Sequence, residues 1–192
     1  MQRREATPDE VRALASPLRL RILRLCNRQA RTNRELADAL EKDPGTVLHH
    51  VKRLVATGFL VPEQVRKGAS GALEKPYRST GLSWQLDFPT EQGTTPWYDA
   101  GLEAFRDELY AAGPQALRGG ARFDLYLNQA SAQEFNDRLM ALVEEFIARE
   151  DPDGDWHGGF YGLHVMPGDA GPRTPGASDG ADRTGRSATA AT

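Results

Sequence analysis

Between Asp43 and Gly58 the side chains sort by type around a helix. At about 100° per residue, Gly45, Thr46, His49, His50, Lys52 and Arg53 fall on one side. Val47, Leu48, Val51, Leu54 and Val55 fall within an opposing arc of roughly 120°. The polar types decide what this face can do. Thr46 can bond a base or a phosphate, and His49 can donate to or accept from a purine edge. Lys52 and Arg53 suit phosphate, and Gly45 lets another backbone approach closely. A helix N-terminus at Pro44 adds a preference for an anion. His50 lies at the edge of the arc and serves packing as readily as contact. Further on, the run Val65 to Gly71 is basic and glycine-rich, and its Arg66 and Lys67 are placed to meet phosphate. This is the chemistry of reading and gripping a polyanion; no bond need be made or broken.

The elements that must hold these residues are strongly punctuated. Thr7-Pro8-Asp9-Glu10 is a capping box with proline at the first helical position. Ser16-Pro17 ends that helix and starts a second, with Leu18, Ile22 and Leu25 inward and Arg19, Arg21, Arg24 and Arg28 outward. Thr32-Asn33-Arg34-Glu35 is a second capping box, opening a short helix with Leu36, Ala37 and Leu40 inward. Asp43-Pro44 opens the fourth helix, and Gly58 after Thr57 closes it. Two short helices across a tight turn are a helix-turn-helix, which adds Thr32, Asn33 and Pro44 to the DNA-facing positions. Phe59-Leu60-Val61 and Tyr77-Arg78-Ser79-Thr80 predict a two-stranded ribbon, the wing of a winged helix, and Ser83 to Phe88 alternates like a further strand.

Charge follows the same division. The chain has 192 residues and a formal charge of −3. Residues 1–78 carry 16 basic and 9 acidic side chains, net +7, and residues 79–192 carry 8 and 18, net −10. Such a split points to a polyanion as partner of the first half only. A single cysteine, Cys26, excludes an intrachain disulfide framework and a thiolate-rich zinc cluster. The N-terminus lacks a signal-peptide core, and no run approaches the roughly 18 apolar residues of a membrane helix, so a cytoplasmic protein is expected. No nucleophile elbow, phosphate loop or zinc-spaced His-Glu motif occurs, and no catalytic residue is assigned.

The second half holds 13 of the 15 aromatics. After a linker at residues 89–96, a helix from Trp97 to Ala112 carries Tyr98, Leu102, Phe105 and Leu109 on one face, which could pair with a partner chain's first helix. Residues 122–128 alternate like a strand, Ser131-Ala132-Gln133-Glu134 is a third capping box, and Phe135, Leu139, Leu142, Val143 and Phe146 form an inward face. With a strand at Phe160 to Met166 this makes a β-α-β unit. Trp84, Trp97, Tyr126, Trp156 and Tyr161 either line a pocket for a small organic effector or are simply core. Residues 167–192 contain no large apolar side chain and predict a disordered tail. The organisation is therefore α+β, with a winged helix-turn-helix domain (1–88), a smaller α+β domain (89–166) and the tail.

Leu14-Ala15-Ser16-Pro17-Leu18-Arg19-Leu20-Arg21-Ile22-Leu23 resembles the helix signature of ArsR-type winged-helix transcriptional regulators. Thr46-Val47-Leu48-His49-His50-Val51-Lys52-Arg53-Leu54, followed by Gly58-Phe59-Leu60-Val61, resembles that family's recognition helix and the start of its wing. The resemblance spans about residues 7–82; Leu48 departs from it, standing where a small polar residue is common. It implies a homodimeric regulator, a repressor, that binds a palindromic operator in double-stranded DNA and answers to an effector. Metal-sensing members carry Cys-x-Cys in the helix that here reads Asn33 to Leu40, without Cys or His, so no metal and no cofactor is expected. His157, His164 and Asp155 are too loosely spaced to replace it. The alternative is a winged-helix module that binds protein or an effector without strong DNA affinity.

Overall fold

A computed structural model describes residues 3–68, 71–88, 96–151 and 153–165. The linker stretch 89–95 and the tail from residue 166 lie outside the described residues. The chain divides into units 1–160 and 161–192.

In the first unit, α1 (Pro8–Leu14), α2 (Pro17–Arg28), α3 (Asn33–Leu40) and α4 (Pro44–Ala56) begin where the caps predict. Thr7 and Thr32 each accept from the backbone of the glutamate three residues on, and each glutamate answers at the threonine N–H, completing both capping boxes. Past the end of α4, Gly58 adopts φ +77°, so Phe59 N–H can reach back to Leu54 C=O at 2.9 Å. That reversal starts the strand Leu60–Pro62.

Among the described residues three small sheets complete this half. In chain order the strands are β1 (Arg4–Glu5), β2 (Arg31–Thr32), β3 (Leu60–Pro62), β4 (Arg66–Lys67), β5 (Leu73–Glu74), β6 (Pro76–Ser79) and β7 (Leu86–Asp87). β6 lies between β2 and β3, antiparallel to both; β4 and β5 form a hairpin; β1 and β7 pair in parallel. The strand predicted over Ser83 to Phe88 shrinks to β7, preceded by a short 3-10 helix at Leu82–Gln85. The core is Ile22, Cys26, Leu36, Val47, Val51, Leu54, Phe59 and Leu60, contributed by α2, α3, α4 and β3 with the turn before it.

Beyond residue 95 the structure departs further from expectation. α5 (Pro96–Ala112) packs along α2 and α1 of its own chain, burying Ala100 and Ala104. α6 (Gln129–Ala148) starts before the predicted capping box, because Asn128 accepts from Ser131 N–H at 2.8 Å and is the true cap. Its predicted inward face contains no buried residue. Residues 122–128 and 160–165 form no strand, so the β-α-β unit is absent among the described residues. Alternation sets which way side chains point but supplies no ladder partner.

Candidate nucleic-acid interface

The face first noticed in the sequence is assembled by α4 and its neighbours. Val47, Val51 and Leu54 are fully buried against the core, which fixes the helix rotation. Pro44, Gly45, Thr46, His49 and Lys52 are consequently exposed together. Asp43 caps the helix, accepting from Gly45 N–H at 2.8 Å and Thr46 N–H at 3.0 Å. The expected anion preference of this N-terminus is thus already met by the chain's own carboxylate.

Four further residues of the expected set are placed differently. Thr32 is buried and its hydroxyl serves the α3 cap, so it is removed from the contact face. Asn33 donates from Nδ2 to Pro44 C=O at 2.9 Å, tying the start of α3 to the start of α4; it positions α4. His50 turns toward α2, where Arg19 Nη1 lies 3.3 Å from Nδ1 and the His49 ring stands edge-on at 5.5 Å. Burial, then the charges of Arg19 and His49, hold its pKa below the ordinary histidine value. Arg53 reaches across to Asp9 on α1 at 3.5 Å.

The β4–β5 hairpin carries the remaining two. Arg66 donates from Nη2 to Glu35 at 2.7 Å and lies 3.4 Å from Glu74, so the hairpin is latched to the start of α3. Lys67 is exposed and pairs with no carboxylate among the described residues. Arg34, in the first turn of α3, and Lys42, in the α3–α4 turn, share that condition, and sequence reasoning passed over both. Their signal was available: each sits at an outward position flanking a predicted cap.

The arginines of α2 meet a different partner. Arg24 contacts Glu108 at 2.7 Å, Arg21 lies 3.9 Å from Asp107, and Arg28 lies 4.0 Å from Glu150. Burial leads in raising the Glu108 pKa, against the pull of Arg24 and Arg21. Part of the positive excess of the first half therefore answers the acidic second half.

Residues 14–63 match the model of a helix-turn-helix domain family. The first half is a winged helix-turn-helix. The match covers about a quarter of the chain and is to that broad family, a shorter and more general likeness than the ArsR-type one over 7–82. No curated protein matches the chain. Among solved structures, the adhesin competence repressor AdcR of Streptococcus pyogenes is 19% identical, with 67% of this chain and 78% of that one covered at TM-score 0.31. An apo mutant of ZitR from Lactococcus lactis is 19% identical, covering 69% and 83% at TM-score 0.31. A SlyA-like transcription regulator from Listeria monocytogenes is 17% identical, covering 74% and 83% at TM-score 0.31. None superposes well enough to argue from.

The aromatics proposed as an effector pocket are spread over several elements of the chain. Trp97 packs on Phe88 at 5.0 Å and on Tyr98 at 6.0 Å, while Arg28 lies over Trp156 at 5.9 Å. Trp84 sits on the 3-10 helix, Tyr126 is exposed in the 122–128 segment, and Tyr161 belongs to the other unit. An open groove of about 590 Å³ beside α6 is lined by Phe146, Ile147, Arg28, Glu150, Trp156 and His157, among others, and includes one of the five. The α5 face proposed for dimerisation is partly occupied: the Phe160 ring lies 5.1 Å from Tyr98 and 6.2 Å from Phe105. Leu102 is exposed and Leu109 half-buried. Cys26 is buried, which pushes its thiol up to about 12 and keeps it protonated.

Proposed function

We propose that the protein is a sequence-specific DNA-binding transcriptional regulator of the ArsR-like kind. In this reading it is a cytoplasmic repressor that acts as a homodimer on an inverted-repeat operator. Helix α4 lies in the major groove, Thr46 and His49 meet base edges, and Lys52 meets phosphate. The observation that carries it is the rotation of α4: three fully buried residues hold Thr46, His49 and Lys52 outward, on the second helix of the motif. Arg34, Lys42 and Lys67 are cations of the same domain that no carboxylate engages among the described residues, and they supply the backbone grip.

Selection from a random duplex library tests this and yields the operator. Affinity for the selected duplex should fall linearly with salt on logarithmic axes. Lys52→Ala should reduce that slope by about one and weaken all sequences alike; Thr46→Ala or His49→Ala should change which sequence is preferred. Failure to enrich any sequence, with weak and salt-insensitive binding, overturns the reading in favour of a protein-binding winged helix.

A further inference from the structure

His50 stands at the edge of the α4 face, half-buried, with one ring nitrogen turned inward to Arg19 of α2. That guanidinium is held on three sides. Its Nε donates to Ala13 C=O, its Nη2 donates to Arg12 C=O at 2.8 Å, and its Nη1 lies 3.3 Å from His50 Nδ1. The two carbonyls belong to the last turn of α1, where a helix leaves acceptors free. A guanidinium has only N–H donors and keeps its proton at any ordinary pH. The Nδ1 facing it must therefore offer a lone pair, which leaves the hydrogen of the neutral ring on Nε2. Nε2 is bonded to no group among the described residues and is not enclosed.

The surroundings disfavour a second ring proton. The charges that bear on His50 are those of Arg19 and of His49, whose ring stands edge-on at 5.5 Å. Arg53 adds a further positive charge beside Arg19. Asp9 of α1 is engaged elsewhere, by Arg12 at 2.5 Å and Arg53 at 3.5 Å. We propose that Arg19 is a positioning residue that locks His50 as the Nε2–H tautomer, so that His50 gives one uncharged N–H to a backbone phosphate oxygen at the edge of the major groove. A group that can only donate suits a group that can only accept, and the margin of the face meets the groove wall before it meets a base. The phosphate contact rests on the proposed function; the tautomer does not.

Nitrogen NMR of the imidazoles in the full chain reads the tautomer directly. At about pH 7 His50 should carry its proton on Nε2, and Arg19→Met should release it to a mixture that protonates more readily in acid. Binding to two duplexes of unrelated sequence reads the contact. His50→Leu should weaken both about tenfold with the salt slope unchanged, because an uncharged donor displaces no counterion. His50→Gln, which keeps an N–H at similar reach, should restore most of that loss. In Arg19→Met affinity should climb more steeply than in the parent as pH falls from about 7.5 to about 5.5, since His50 is then free to charge beside phosphate. An Nδ1–H tautomer in the parent overturns the lock, as do matching pH profiles of Arg19→Met and parent. A salt slope lowered by about one in His50→Leu would make His50 a cation and overturn the proposal too. Should Arg19→Met misfold, the parent's tautomer and the two His50 variants still decide. Normal duplex binding with no loss in His50→Leu sinks the contact and spares the proposed function. A parent that binds neither duplex sinks both, while the tautomer is still decided by NMR.

Discussion

α4 and α6 are both amphipathic, yet only one has its apolar side covered. α4 buries Val47, Val51 and Leu54 completely and turns polar groups to solvent. α6 is longer, 20 residues against 13, yet none of its residues is fully buried, and Phe135, Leu139 and Val143 on its predicted inward face are only half-buried. Periodicity announces that a helix needs a partner without saying where the partner is. For α4 it is α2, α3 and β3 of the same chain, reached through short turns. For α6 no partner of comparable extent occurs among the described residues, and the electrostatics follow suit: α5 is clamped to α2 through Arg24 and Glu108, whereas α6 has Arg3 near Glu144 at 3.5 Å.

The largest test of this contrast is a pair of phenylalanine truncations. Phe59→Ala should cost about 3–5 kcal/mol in urea unfolding, because the ring is enclosed by the core. Phe146→Ala, measured at concentrations where the chain is monomeric, should stay within about 0.5 kcal/mol. Equal losses would break the comparison, since they would place Phe146 in a core of its own chain.

Helix caps sharpen it at a smaller scale. Thr32→Ala should lower stability by about 1 kcal/mol, as should Asn128→Ala if α6 contributes to the folded unit. Ser131→Ala should be neutral within about 0.5 kcal/mol, because its hydroxyl is not the cap. Amide hydrogen exchange along α6 would resolve the case in which Asn128→Ala frays that helix without changing global unfolding.

Acid tests the first half through Glu10. Arg4 donates to Glu10 at 2.6 Å, and this hydrogen bond, assisted by those from Thr7 and opposed by burial, lowers the Glu10 pKa from 4.5 to about 2. The unfolded chain therefore takes up this proton first. The pair's stabilisation is complete above about 4.5 and is lost as pH falls towards about 2. Glu10→Gln should flatten thermal stability across that window; an unchanged profile would remove Glu10 from the acid response.

What could be read in advance divides along the same line. Thr7, Thr32, Asp43 and Gly58 act on residues within four or five positions, so their types and spacing sufficed. The polar arc of α4 was legible for the same reason, although Arg53, as far around the helix from Val51 as His49, is drawn to Asp9 and half-buried. Long-range partners were not. Nothing in the spacing couples Arg66 to Glu35, 31 residues away, or Asp9 to Arg53, 44 away. The strand-like alternation at 122–128 failed for a related reason, since a strand requires a second segment and none is paired with it here. Ser131 misled because Asn128, an equally good cap, stood three residues earlier.

The smallest expected effect on stability concerns the charges of the β4–β5 hairpin. Arg66 lies between Glu35 and Glu74, and all three side chains are partly solvated, 33–47% exposed. Exposed ion pairs contribute between zero and about 1 kcal/mol, so Glu74→Gln should change unfolding by no more than about 0.5 kcal/mol. Its effect on DNA should be larger. One carboxylate fewer beside the hairpin reduces repulsion of phosphate and leaves Arg66 with a single competitor, so affinity for all duplexes should rise together and steepen with falling salt. Glu35 is the wrong site for this test, because its carboxylate also accepts from Thr32 N–H at 2.6 Å and its loss would unpick the α3 cap. If Glu74→Gln leaves both stability and DNA affinity untouched, the hairpin does not approach the duplex, and the grip lies with Arg34, Lys42 and Lys52 alone.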